Sequence, residues 1–256
     1  MLQKVQDILE TMPGLGLERM EKVKLMNRND AKYIMAESQL SEFLNRLRGE
    51  YIIQTVNERK WQEYRTVYLD DRNHTMYLAH HNGHLARQKV RVRTYLDSKQ
   101  LTFFEVKLKN NHGKTSKKRM KVSSLDSIAD DGAGEFLAGI AMLPIPLADM
   151  IPTVENHFER ITLVNRDMVE RMTIDTGLSF HNLETGITRR MNNMVIVEVK
   201  YEGRSGSVAK DILRDMRVHP SGFSKYCIGS ALTNPKLKRN RFNLRIRKIN
   251  KITTSR

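Results

Sequence analysis

The sequence predicts an α+β protein built on a closed antiparallel β-barrel with a charged lumen, decorated by helices. The first observation is the alternation in Lys89-Val90-Arg91-Val92-Arg93. Side chains on a strand point to opposite faces every second residue, so Lys89, Arg91 and Arg93 share one face and Val90 and Val92 the other. The second is that this pattern recurs. Phe104-Glu105-Val106-Lys107-Leu108-Lys109 and Val195-Ile196-Val197-Glu198-Val199-Lys200 each set charges opposite an apolar row, and Arg171, Thr173 and Asp175 oppose Met172 and Ile174. A single charged strand is ordinarily the solvated side of an antiparallel sheet. Several such strands suggest charged sides that converge, as they do inside a barrel. The third is residue choice. Arginines at successive same-face positions stand about 7 Å apart, near the spacing of phosphates in an extended chain, and they repel one another unless an anion lies between them.

The elements follow in order. Residues 1–12 read as a short amphipathic helix (Val5, Ile8, Leu9, Met12) and residues 31–36 as a strand. Ser38 then offers a cap for a helix reaching Arg48, with Leu40, Phe43, Leu44 and Leu47 as its buried stripe and Gly49 as its stop. Strands are expected over 63–70, 86–95, 101–109 and 116–122, the last two parted by the turn signal Asn110-Asn111-His112-Gly113. Residues 73–81 read as helix or loop. The stretch 123–152, rich in Ala, Leu, Met, Gly and Pro, reads as a connection with short helices. Strands resume at 158–165, 170–175, 178–183 and 194–201, and helices at 207–217 and 224–229. The chain reads as one domain over 1–256, with an N-terminal helical segment (1–30) and a basic C-terminal tail (234–256).

Lys and Arg number 44 against 29 Asp and Glu, a formal charge of +15, and 39% of the 256 residues are hydrophobic. That is enough for a conventional core, and the charge makes nucleic acid, an anionic membrane surface or polyphosphate the candidate partners. One cysteine, Cys227, allows no intrachain disulfide and fits a reducing compartment. The N-terminus lacks the continuous apolar core of a signal peptide, and the apolar run 136–151 is shorter than a bilayer span. The expectation is a soluble, cytoplasmic protein.

No phosphate-cradling glycine loop, dinucleotide fingerprint or cysteine-based metal site is present. Phosphate recognition would therefore come from side chains. Lys89, Arg91, Arg93, Lys107 and Lys200 lining one lumen would grip a triphosphate, and Glu105 and Glu198 among them suit a divalent cation that neutralises the same phosphates.

From about Asp30 to Phe242 the chain resembles the catalytic domain of the vacuolar transporter chaperone (VTC) polyphosphate polymerases, within the triphosphate tunnel metalloenzyme superfamily. The resemblance rests on the order and spacing of several motifs. They are Lys32-Tyr33, Tyr68-Leu69-Asp70-Asp71, Lys89-Val90-Arg91-Val92-Arg93, Phe104-Glu105-Val106-Lys107, Ser116-Lys117-Lys118-Arg119, Glu170-Arg171-Met172-Thr173-Ile174-Asp175, Val197-Glu198-Val199-Lys200-Tyr201 and Phe223-Ser224-Lys225-Tyr226. It implies a closed barrel with a charged tunnel, in which the γ-phosphate of ATP passes to a growing polyphosphate chain with Mn2+ or Mg2+. It implies that Lys32, Arg91, Arg93, Lys107, Lys118, Arg171 and Lys200 hold phosphates, with Lys225 near the tunnel mouth and Arg166 a further member. Glu198 would be the metal ligand. The first strand keeps one carboxylate, Asp30, where the superfamily often has a glutamate-rich strand.

ATP and inorganic polyphosphate are thus the expected partners. The same fold also suits a triphosphatase or a noncatalytic polyphosphate-binding or regulatory subunit. Nucleic acid ranks last, because the basic residues alternate on strands beside acidic ones rather than interleaving with aromatic stacking positions. His80, His81 and His84 read as a loop cluster rather than a metal site, and Trp61 and Tyr64 as packing rather than base stackers. The tail, with Lys236, Lys238, Arg239, Arg241, Arg245, Arg247 and Lys248, suits either a polyanion, including the surface of a membrane or a membrane-protein partner, or a helix closing the barrel end through Phe242, Leu244 and Ile246.

Overall fold

The computed structural model describes residues 3–21, 28–98, 100–202 and 206–254. In chain order the elements are α1 (Gln3–Glu10), β1 (Gly14–Gly16), α2 (Leu17–Glu21), β2 (Arg28–Ala36), α3 (Leu40–Leu47), β3 (Tyr51–Thr55), β4 (Gln62–Asp71), α4 (Thr75–His81), β5 (Arg87–Tyr95), β6 (Leu101–Lys109) and β7 (Thr115–Val122). Then come α5 (Ala133–Ala138), β8 (Met150–Asn165), β9 (Glu170–Asn182), β10 (Thr188–Arg190), β11 (Met194–Glu202), α6 (Val208–Asp215), α7 (Lys225–Thr233) and α8 (Asn243–Thr254). Among the described residues no helix is long and apolar enough to cross a membrane.

The main sheet runs β2-β11-β9-β8-β4-β5-β6-β7 with antiparallel neighbours throughout, while β3 adds to β8, β1 to β3 and β10 to β9. This corrects the expectation of a closed barrel: β2 and β7 end the path and do not pair with each other. Both outer edges have a physical reason to stay apart. The free side of β2 is taken by the segment before α7, where Ser221 N–H donates to the Lys32 carbonyl (2.6 Å) and Pro220 bridges Tyr33. Strand β7 carries Lys117, Lys118, Arg119 and Lys121 and is exposed at nearly every position, the charged edge that resists pairing.

The sheet nevertheless curls strongly. Lys32 on the first strand of the path donates to the carbonyl of Phe223 (3.3 Å), and Lys89 on the sixth donates to the hydroxyl of the adjacent Ser224 (2.8 Å). Strands far apart in the ladder therefore face each other across a trough whose floor is the charged face. Its convex side is apolar. Tyr33, Met35, Ile161, Leu163, Met172, Ile174, Val195, Val197 and Val199 pack on α1, α3 and α6, and Val90, Val92, Phe104 and Val106 on α5 and its flanking loops. In α3, Leu40, Phe43, Leu44 and Leu47 are fully buried, each contributing about 1.5–3 kcal/mol of apolar transfer. Helices α4, α7 and α8 pack at one end of the trough.

Local boundaries depart from the sequence reading for identifiable reasons. A short 3-10 turn at 37–39 precedes α3, and the Gln39 side-chain oxygen, not Ser38, accepts a backbone N–H, that of Ala36 (3.2 Å). The two strands expected at 170–175 and 178–183 are one, bent at Gly177, whose φ of +60° a residue with a Cβ rarely adopts. Ser207 and Ser224 cap α6 and α7 by accepting from the N–H groups of Lys210 and Cys227 (3.2 and 3.3 Å). In the tail, Phe242 and Ile249 are buried, but Leu244 points to solvent.

A candidate phosphate-binding trough

Register decides which charged side chains meet. Across β5 and β6, Lys89 lies opposite Lys107 and Arg91 opposite Glu105; across β6 and β7, Lys107 lies opposite Lys117 and Glu105 opposite Arg119. At the other end of the path, Glu198 lies between Lys32 and Thr173, and Lys200 opposite Arg171. Strand β8, in the middle, brings Arg160 opposite Asp175. These residues share the concave face.

Three carboxylates anchor the cluster, and each is held differently. Glu105 is 1% exposed. Arg91 donates to its Oε2 through Nε (2.7 Å), with Nη2 2.6 Å away, and Lys117 donates to Oε1 (2.8 Å). Asp175 is gripped by both forks of Arg160 (2.6 and 2.8 Å) and by Lys225. Glu198 is held more loosely, with Lys32 at 3.5 Å and Lys200 at 3.8 Å. Burial works to raise all three pKa values, but the surrounding cations hold each carboxylate well below the usual range, so all three are ionised at neutral pH.

Lys89 and Arg93 are held by neutral groups. Lys89 donates to Ser224, and Arg93, 6% exposed, donates to Thr66 Oγ1 (3.1 Å). Tyr64 and Phe158 stack with ring centres 5.2 Å apart; the guanidinium groups of Arg93 and Arg160 lie 5.2–5.8 Å from these rings, and the Lys225 ammonium lies 4.2 Å from that of Phe158. Aromatic faces attract cations without neutralising them. The consequence appears in the lysines. Burial, with Lys32, Arg87 and Arg91 nearby, pushes Lys89 down to about 8. Lys107, although open to water along the trough, is pushed down to about 7 by the protein around it and by Lys32, Lys89 and Arg91, against the pull of Glu198. Burial is the larger cause of both shifts, and the neighbouring cations add to it. With Lys32, Lys89, Arg91, Arg93, Lys107, Lys117, Arg160, Arg171 and Lys200 on the face of Glu105, Asp175 and Glu198, the trough carries more positive charge than its carboxylates balance, and phosphate oxygens are the natural complement.

Lys32, Lys89, Arg91, Arg93, Lys107, Arg171 and Lys200 thus lie on one concave face, with Arg171 Nη2 also reaching Gln54 (3.3 Å). Lys225 stands at the start of α7, half-buried and donating to Asp175. Lys118 pairs in register with Val106 and so lies on the opposite face. Arg166 lies beyond the end of β8, where its Nε donates to the Gly49 carbonyl, away from the trough. The structure adds Lys117, Arg119, Arg160 and Asp175. Arg160 was legible as the continuation of the alternating row Asn156, Phe158, Arg160; Asp175 stood in the Arg171-Thr173-Asp175 alternation.

Of the three carboxylates on the concave face, Glu198 is the one left open to a divalent cation. Glu105 and Asp175 spend their oxygens on guanidinium and ammonium donors, and among the described residues no three His, Cys, Asp or Glu side chains form a metal cluster. Glu198, with its partners beyond 3.4 Å, retains lone pairs toward the trough. A hard cation that keeps its waters and shares substrate phosphates needs only one or two protein carboxylates, so Glu198 fits Mg2+ or Mn2+ in that mode.

Comparison with solved structures finds distant likenesses. PH1819 of Pyrococcus horikoshii OT3 aligns over 80% of this chain and 98% of its own at 11% identity and a TM-score of 0.45. HpAC1 of Hippeastrum, described as an adenylyl cyclase with a dominant triphosphatase activity, aligns over 81% and 97% at 12% identity and a TM-score of 0.45. The inorganic triphosphatase NE1496 aligns over 73% and 79% at 11% identity and a TM-score of 0.29. At these values the likeness indicates no activity. No curated protein matches the sequence. The family model described as the VTC domain, however, matches residues 27–234, a span that holds every strand from β2 to β11 and the whole trough. The chain belongs to the VTC domain family.

Proposed function

We propose that this protein is a phosphotransferase that carries the γ-phosphate of ATP to a growing polyphosphate chain within the trough. Membership of the VTC domain family supports a function on polyphosphate or triphosphate. The observation that carries the finer reading is the excess of positive charge on one concave face, where Lys89 and Arg93 are held by Ser224, Thr66 and aromatic rings rather than by carboxylates.

In this reading Arg91, Arg93, Lys89 and Lys107 on one wall and Lys32, Lys200 and Arg171 on the other hold successive phosphates. Their charge offsets the negative charge that spreads over the transferring group's oxygens. The terminal oxygen of the chain attacks the γ-phosphorus in line, and ADP leaves. Lys117 and Arg160 act through Glu105 and Asp175, fixing the carboxylates that in turn orient Arg91 and Lys225. Mn2+ or Mg2+ bound through Glu198 would polarise the phosphoryl oxygens.

The test is incubation of the purified protein with ATP and Mn2+, alongside Glu198→Gln, with products resolved by gel and by phosphate release. Long acid-stable polymer from the unaltered protein, lost in Glu198→Gln, is expected. Orthophosphate without polymer would make the protein a triphosphatase, and tight binding of polyphosphate without turnover would make it a binding subunit.

A further inference from the structure

A second basic site lies outside the trough. Between β10, the segment leading into α8 and α8 itself is a cavity of about 570 Å3, within the range of small-molecule pockets. Arg189 and Arg190 come from β10, Arg239 from the connection after α7, and Arg247 from α8. Among the described residues no carboxylate lines the cavity and none of the four arginines forms a salt bridge. Arginines that border one hollow from three segments, with no carboxylate among them, repel one another, a cost that a bound anion reverses. The floor is different in character: Met191, Leu232 and Ile246 present apolar surface. None of the residues assigned to the trough contributes to this lining, so the site does not depend on the reading of the trough.

We propose that this cavity binds a compact, multiply phosphorylated anion of the nucleoside triphosphate class, with the phosphates on the arginine rim and the organic part on the apolar floor. The arrangement favours a compact ligand over a polymer. The arginines surround the hollow from three separate segments rather than forming the row that an extended chain follows, and an apolar floor has nothing to offer a bare phosphate polymer. Because α8 supplies Arg247 and the buried Ile249 that anchors the helix, occupancy would hold α8 against the end of the sheet.

Isothermal titration with ATP and with tripolyphosphate tests this, using the full chain carrying Lys107→Glu and Lys200→Glu to disable the trough. One equivalent of ATP is expected to bind, more tightly than tripolyphosphate. Arg239→Ser with Arg247→Ser is expected to weaken it by at least about tenfold, and Arg247→Lys, which keeps the charge but loses the fork, by less. These side chains are exposed, so the melting temperature should stay near that of the parent. With the trough intact, the same two serines should remove one of two binding equivalents. No ATP binding in the trough-disabled protein, with a single equivalent in the unaltered one, would overturn the proposal. So would ATP binding unmoved by the arginine substitutions, or binding of long polyphosphate without ATP or tripolyphosphate.

Discussion

Replacing Glu105 by Gln probes how the trough is held together. Glu105 is 1% exposed and receives two guanidinium nitrogens of Arg91 and the ammonium of Lys117 within 2.8 Å. Glutamine keeps the shape but removes the charge, and its amide nitrogen turns a donor toward donors. Breaking a buried pair by removing one partner costs about 3–5 kcal/mol; here Arg91, 19% exposed, is left without its counter-charge, while Lys117, 39% exposed, can turn to water. For a chain of this size each kcal/mol moves the midpoint by about 2–4 °C, so the melting temperature should fall on the order of 10 °C at pH 7. Glu105 has its folded pKa lowered, so its contribution is present above the usual glutamate range and is lost as pH falls through the folded value. The gap between the two proteins should therefore narrow in acid. Tripolyphosphate supplies the missing negative charge and should raise the midpoint of Glu105→Gln more than that of the unaltered protein. Thermal melts followed by circular dichroism measure all three. A midpoint within about 2 °C of the unaltered protein at pH 7 would refute the claim that Glu105 balances these cations.

Three further outcomes are expected. Lys107 and Lys89 titrate near 7 and 8, and a bound polyanion favours their charged forms. Tripolyphosphate binding should weaken from pH 7 to 9 and take up protons at pH 8, read as a dependence of titration heat on the buffer's ionisation enthalpy; pH-independent binding would count against their role. Lys117→Ala should weaken tripolyphosphate binding while Lys118→Ala leaves it unchanged, because Lys117 lies beside Lys107 on the concave face and Lys118 beside Val106 on the other; equal effects would argue against the register. Gly229→Ala should lower stability by about 1–3 kcal/mol despite alanine's better helix propensity, because a Cβ there comes within 2.5 Å of the buried Phe180 ring; an unchanged midpoint would show that α7 can shift.

What the sequence made legible follows from what alternation can and cannot say. It assigns a face to each residue of a strand, and so it finds β5, β6 and β11 and the convergence of Lys89, Arg91, Arg93, Lys107 and Lys200. It cannot say whether the first and last strands meet, which is why the barrel was expected and the open path of β2 to β7 was not. Strand β3 (Tyr51–Thr55) is half-buried or buried at every position, so its sequence shows no alternation, and β8 hides its first half behind Pro152, which sits at the irregular pairing with β4. In the run Lys117-Lys118-Arg119 charge is continuous, and only pairing with β6 separates the residues that face the trough from the one that does not. The partnership of Arg160 with Asp175 likewise depends on the register of β8 with β9, which includes a shift between His157 and Glu159. The sequence leaves the tail open between helix and polyanion surface; it forms a helix with Ile249 buried, and its Arg239 and Arg247 line a cavity together with Arg189 and Arg190 of β10.

Phosphate binding in the trough is tested most directly by a crystal structure of the protein grown with tripolyphosphate. Phosphates lying on the concave face, within hydrogen-bond distance of Arg91, Arg93 and Lys107 on one side and of Lys32 or Lys200 on the other, are the predicted result. A trough left empty while tripolyphosphate binds elsewhere on the protein would show that the concave face is not the phosphate site.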